Sequence, residues 1–229
     1  MTRTPLQWTL AGAMLAWCAV ASSNPALATP DISGVWQVTR YERSIRTIEG
    51  KAPPLTADAR KVYEQNLVAR KQLKPKSDMS RCVPPGTPRV MWAPKPLMIL
   101  QTPRKVTIIH EYQHLLRHIY LNESLPPAAD VDTSYMGQSV GRWDGETLVV
   151  ETIGFYDTTF LDRDGMPHST ALRVTERLRL INGGKRLEDL VTFDDPKTFT
   201  APWTARLEFV RRPGTELTEY HCLLKYEEY

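Results

Sequence analysis

The sequence predicts a mainly β fold: an antiparallel barrel of about ten strands, with one N-terminal helix and a Pro-rich arm. Three observations carry this. From Leu97 onward, short apolar-rich runs follow one another with two-residue periodicity. Turn signals separate many of them: Pro103-Arg104, Asp144-Gly145, Asn182-Gly183-Gly184 and Pro213-Gly214. Only one stretch, 57–71, has the composition of a helix, and Thr56 before it is a good N-cap.

In order, the expected strands are 31–39, 97–101, 105–112, 115–121, 139–143, 147–153, 172–180, 186–193, 203–210 and 216–224. Sequential hairpins at this spacing favour a meander that closes on itself over a parallel sheet. Between the helix and the second strand stand Pro75, Pro84, Pro85, Pro88, Pro94 and Pro96, an irregular arm rather than a regular element.

The first residues read as an export signal. Arg3 is followed by an uncharged apolar run over 6–21, and Ala26-Leu27-Ala28 supplies the small-x-small cleavage pattern. The run is too short, and too soon followed by polar residues, for a stable membrane anchor. The expected organisation is therefore a signal peptide, 1–28, and a single barrel domain, 29–229, that is periplasmic or secreted. The chain carries 29 Lys+Arg and 26 Asp+Glu, a formal charge of +3, and cleavage after residue 28 removes only Arg3. A near-neutral chain gives no reason to expect a nucleic-acid partner. No Gly-rich nucleotide loop and no nucleophile motif occurs, and no cofactor is implied.

The strongest chemical signal is in 172–180. Even positions read Leu172, Val174, Glu176, Leu178 and Leu180, and odd positions read Arg173, Thr175, Arg177 and Arg179. Successive strand residues face opposite sides, so Glu176 goes inward with the apolar set. A carboxylate there needs a buried partner such as an arginine, or it lines a cavity. A second ionisable cluster comprises Glu111, Arg117, His118 and Tyr120, with Arg117 a candidate partner of Glu111 across the hairpin. A third lies in the long loop that carries Phe155, Asp157 and His168. Long loops at a barrel mouth often carry function, and a histidine beside a carboxylate is the usual acid–base pair near neutrality.

His110-Glu111-Tyr112-Gln113-His114 matches the H-E-x-x-H zinc-peptidase pattern. That chemistry needs a helix, whereas the preceding Val106-Thr107-Ile108-Ile109 favours a strand. Arg117 and Tyr120 stand where an extended pattern would place a Gly and a third His. No metal is therefore expected. The large rings Trp36, Trp92, Trp143, Trp203 and Phe155 suit a core, and some of them a ligand pocket.

Gly34-Val35-Trp36 opening the first strand resembles the Gly-x-Trp of lipocalins and related calycin barrels. Segments such as Arg81-Cys82-Val83-Pro84-Pro85-Gly86, Gly141-Arg142-Trp143-Asp144-Gly145 and Val174-Thr175-Glu176-Arg177 resemble a broad, uncharacterised family of exported bacterial proteins. The resemblance spans most of 31–222. It implies export and a lipocalin-like barrel, and brings no catalytic assignment.

These observations point first to cofactor-free acid–base chemistry of lyase, isomerase or hydrolase type on a small apolar or aromatic molecule. Glu176 and His168 would move protons, with Glu111 or Asp157 assisting. Arg117 and Tyr120 would stabilise negative charge, and Trp143, Phe155 and Trp203 would hold the ligand. The second reading is a non-catalytic binder using the same cavity, and the third is the zinc peptidase.

Cleavage also removes Cys18, leaving Cys82 and Cys222 as an even pair in an oxidising compartment. A disulfide between them would close a long loop, for up to about 4–5 kcal/mol of stabilisation in the chain-entropy model. The alternative is two buried thiols. Mass spectrometry of protein recovered from the periplasm should show a mature chain starting at Thr29. Non-reduced digests should contain a linked Cys82–Cys222 peptide pair. Alkylatable thiols at both positions would sink the disulfide, and an intact Met1 would sink the cleavage.

Overall fold

A computed structural model describes residues 29–72 and 82–220 of the chain. Nine strands close into one barrel in sequence order: β1 (Gly34–Val38), β2 (Leu97–Gln101), β3 (Lys105–His110), β4 (Leu116–Leu121), β5 (Gln138–Asp144), β6 (Thr147–Ile153), β7 (Arg173–Ile181), β8 (Arg186–Asp194) and β9 (Trp203–Arg211). One helix, α1 (Ala57–Gln72), follows β1. Thr56 caps it as expected, its Oγ1 accepting from the Ala59 N–H at 3.3 Å. No helix among the described residues is long and apolar enough to cross a membrane.

The tenth strand is corrected. Within 216–224, the described residues 216–220 form no strand, and the rest lie outside the described residues, Cys222 among them. Strand β9 already finds its second neighbour in β1, through Trp36↔Arg211, Gln37↔Val210 and Val38↔Phe209. No open edge remains for another strand to join.

The all-antiparallel meander is corrected as well, and the reason is parity. Strands that alternate direction around a ring can pair antiparallel throughout only if their number is even. With nine, at least one neighbouring pair must run parallel. Here β4 and β5 take that role, with Ile119↔Ser139, Tyr120↔Val140 and Leu121↔Gly141 in register, while the other eight pairs are antiparallel. A parallel pair needs a crossover rather than a tight turn, which is why the chain spends 122–137 outside the sheet.

The seam between β1 and β9 is covered by one side chain. The Arg211 guanidinium lies 4.3 Å from the centre of the fully buried Trp36 ring and donates to the Ser33 carbonyl at 2.6 Å and the Gly184 carbonyl at 3.0 Å. Gly34 has φ +126°, and a Cβ there would stand 3.0 Å from the Arg211 Nη1. The Gly-x-Trp spacing thus leaves room for the arginine that lies over the tryptophan.

The two barrel ends differ. At one end the strands turn back tightly, as at Gly145 between β5 and β6 and Asn182–Gly184 between β7 and β8. The other end receives α1, the arm, the long β6–β7 loop and the β8–β9 loop. Helix α1 docks there mainly through polar contacts. The Tyr63 hydroxyl donates to Asp162 at 3.0 Å, the Asn66 amide to the Gly165 carbonyl at 2.8 Å, and Arg70 to the Arg163 carbonyl at 2.9 Å. Val62 and Val68 stay exposed, and the helix meets the apolar core through Ala59 and Tyr63.

Candidate functional site

Inside the barrel, the strand alternation sets the positions. Glu176 on β7 faces inward, as the pattern predicts, and is fully buried. Its partner is Arg117 on β4, 1 % exposed. The Arg117 Nη1 donates to Glu176 Oε1 at 2.9 Å, and its Nη2 donates to Oε2, a two-pronged contact. The remaining guanidinium contacts go to Ser139 on β5 (3.1 Å) and Thr152 on β6 (2.8 Å), whose hydroxyls lie 2.9 Å apart. Four strands thus converge on one buried cation.

The expected Glu111–Arg117 contact is corrected. Strand β3 ends at His110, and the chain leaves the sheet through a 3-10 turn with positive φ at Gln113 and His114. Glu111 is carried away from Arg117. It accepts from Lys95 Nζ at 3.1 Å and from the Thr218 N–H at 2.9 Å, pinning the segment after β9. Burial pushes its carboxyl up, but these hydrogen bonds prevail and leave it below the usual range.

The same turn separates the two histidines of the H-E-x-x-H stretch. His110 is buried in the barrel, and His114 is exposed beside Thr218 and Tyr220. The zinc-peptidase reading therefore loses its geometry. Among the described residues no group of three His, Cys, Asp or Glu side chains is placed to hold a metal.

One buried acid has no place in the expected set. Asp189 on β8 is fully buried, and neither of its carboxyl oxygens has a hydrogen-bond partner. Burial and the neighbouring Glu176 push it well above the usual carboxylate range, against the opposing pull of Arg117. The signal for it was present in the sequence: Leu187, Asp189, Val191 and Phe193 alternate on the inward face as the residues around Glu176 do. His110, also buried, is pulled down to about 3 by burial and by the Arg117 charge, so its imidazole is neutral in the folded protein at neutral pH.

His168 is not brought to Glu176. It is buried in the β6–β7 loop, with Nε2 2.7 Å from the Thr159 hydroxyl and Nδ1 3.1 Å from the Ser169 carbonyl, and burial lowers its basicity. Phe155 packs edge-on against its ring at 6.3 Å. Asp157 is exposed in the same loop. Tyr120 is 40 % exposed on the outer face of β4, on the opposite side from Arg117 and Ile119. Trp143 is half-buried near the end of β5.

Trp203 instead plugs the loop-bearing mouth. It stacks on Phe193 at 4.2 Å, with Phe199 edge-on at 5.4 Å, while Trp92 from the arm packs 6.4 Å from Phe193. Above this plug, outside the strands, lies a cleft with a cavity volume of about 130 Å³. Trp92, Ile45, Leu161, Pro85 and Pro94 give it apolar walls. Tyr41, Tyr112 and Tyr220 add rings, and Arg70, Arg89, Lys95 and Arg163 add charge. Its acids are Glu42 and Asp162. Asp162, almost wholly buried, accepts from Tyr63 and from the Met166 N–H, yet burial prevails and holds its carboxyl above the usual range. Trp92 and the arm prolines were visible in the sequence. Their meeting with Tyr41, Arg163 and Tyr220 depends on loops whose paths no local pattern dictates.

No protein-family model matches the chain, and no curated protein is similar to it in sequence.

Two stability measurements test the barrel interior. Glu176→Gln leaves the Arg117 charge buried opposite a neutral amide and should cost about 3–5 kcal/mol, read by urea unfolding. With the Glu176 charge gone, Asp189 can ionise as the replacement counter-ion, so the deficit should be smaller at about pH 8 than at about pH 5. A loss below about 1 kcal/mol at both would show that the pair does not brace the barrel.

Asp189→Asn tests the raised acid. A group whose pKa rises on folding contributes stability below its unfolded value, about 3.9, that is lost as pH climbs toward the folded value. The asparagine variant should therefore match wild type near pH 4 and exceed it by about 1 kcal/mol or more at about pH 8. A constant difference across that range would mean that Asp189 titrates normally.

Proposed function

We propose that this protein is a small-molecule-binding barrel whose ligand, an apolar or aromatic compound, sits in the cleft over the plugged mouth and not among the strands. The observation that carries this reading is the cleft itself. It is concave, has apolar and aromatic walls with a few convergent polar groups, and has a carboxyl of raised pKa, which is how small-molecule sites are built. The interior offers less. Glu176 and Arg117 satisfy one another, and Phe193, Trp203 and Trp92 fill the route to them from this mouth.

The same reading takes the chain as exported, with a lipocalin-like barrel and a Cys82–Cys222 disulfide. The cleavage pattern at 26–28 and the Gly34–Trp36–Arg211 seam support it, while the parallel β4–β5 pair departs from a purely up-and-down barrel.

Acid–base catalysis is the second reading, and one observation favours it: Asp162 lines the cleft and holds its proton above the usual range. The group expected to do this work, Glu176 with His168, Glu111 and Asp157, does not converge. Turnover in this cleft would fall to Asp162.

Binding is tested by chemical-shift mapping with a panel of small aromatic compounds. Hits should perturb Trp92, Tyr112 and Arg163. Ala93→Phe, at the cleft wall, should abolish binding while changing stability by no more than about 0.5 kcal/mol. Perturbations centred on Ser139, Thr152 and Glu176 would put the ligand inside the barrel and overturn the reading.

A further inference from the structure

Among the described residues that line the cleft, cationic side chains outnumber acidic ones. Four cationic side chains line it, drawn from α1 (Arg70), the arm (Arg89 and Lys95) and the β6–β7 loop (Arg163), against two acids. Of those acids, Glu42 is engaged by Arg40 at 3.2 Å. Asp162 is directed to Tyr63 and the Met166 N–H, and burial favours its neutral form. Three of the four cations are guanidinium groups, which are planar, weakly hydrated and suited to gripping an oxyanion with two donors.

Arg163 is the most telling of them. Its side chain is half-buried, and its partners are the hydroxyl and ring of Tyr41, with the guanidinium 5.4 Å from the ring centre. No carboxylate answers its charge among the described residues. Lys95, by contrast, is matched by Glu111, and it also lies 4.3 Å over the Tyr220 ring. Tyr220 in turn packs against Tyr112 at 5.7 Å. Flat rings and cations therefore pack against one another around one concavity.

We infer that the cleft's ligand is a planar aromatic acid. Its ring system would lie against Trp92 and the tyrosines, and its anionic oxygens would meet Arg163. This rests on the cleft being the binding site, as proposed above.

The experiment compares three probes of one shape by isothermal titration with the full mature chain: naphthoate, neutral naphthamide and cationic naphthylmethylamine. Naphthoate should bind roughly tenfold or more tightly than either of the others, and raising the salt should weaken naphthoate alone. In Arg163→Gln the advantage of naphthoate should shrink to within roughly threefold while amide binding is unchanged. Thermal unfolding of that variant, expected to match wild type, separates a lost contact from a lost fold.

Naphthamide or the amine binding as tightly as naphthoate would overturn the inference and leave the cleft standing as a site. A preference for naphthoate that persists undiminished in a folded Arg163→Gln would also overturn it. Binding by none of the three would overturn the cleft reading itself.

Discussion

A guanidinium inside a β-barrel must be answered, and much of the interior follows from the answer to Arg117. Water is excluded, so its donors are taken by Glu176, Ser139 and Thr152. These side chains come from β5, β6 and β7, so the partners fix the rotation and register of three neighbouring strands relative to β4. An apolar core of similar volume could be at least as stable, because the desolvation of a buried ion pair often cancels its attraction. A hydrophobic interior, however, tolerates sliding by two residues far better than a two-pronged contact does. Asp189 adds a second carboxyl beside a cation that already has a counter-ion, and burial with the nearby Glu176 pushes it well above the usual carboxylate range.

The plug divides the molecule into two chemistries. Below it, polar groups are buried and shielded, Arg117 and Glu176 answering one another while Asp189 has no hydrogen-bond partner. Above it, aromatic rings and cations face an open concavity. Trp92 belongs to both: it packs on Phe193 and lines the cleft. The arm that carries it contributes Pro85, Arg89, Pro94 and Lys95 to the same concavity, so a segment with little regular structure supplies much of the surface available to a ligand. Helix α1, held by hydrogen bonds to the β6–β7 loop, closes another side with Arg70.

What could be read from the sequence follows the range of the physics involved. Alternation and turn chemistry are local, so nine of the ten expected strands, the capped helix and the inward direction of Glu176 were legible. Strand count was harder because closure is a long-range event: whether 216–224 joins the sheet depends on what β1 pairs with. The parallel pair was hidden for the same reason, since parity belongs to the whole ring. Glu111 was misassigned because one residue of strand length decides which way a side chain leaves the sheet, and the positive φ at Gln113 and His114 carries no signature in those residue types. The cleft was the least legible, being assembled from six separate segments.

The seam between the first and last strands has a consequence for how the chain folds. Ser33 and Arg211, joined across it, stand 178 positions apart. Strand β2, the other neighbour of β1, is itself separated from it by the helix and the arm. Closing loops of this length is entropically slow, whereas the meander from β5 to β9 forms through near neighbours. The N-terminal strand is therefore the first made and the last to complete its pairing. A nascent chain emerging N-terminus first cannot complete its ring until the whole of β9 has followed. The fold keeps itself open for the duration of its own synthesis.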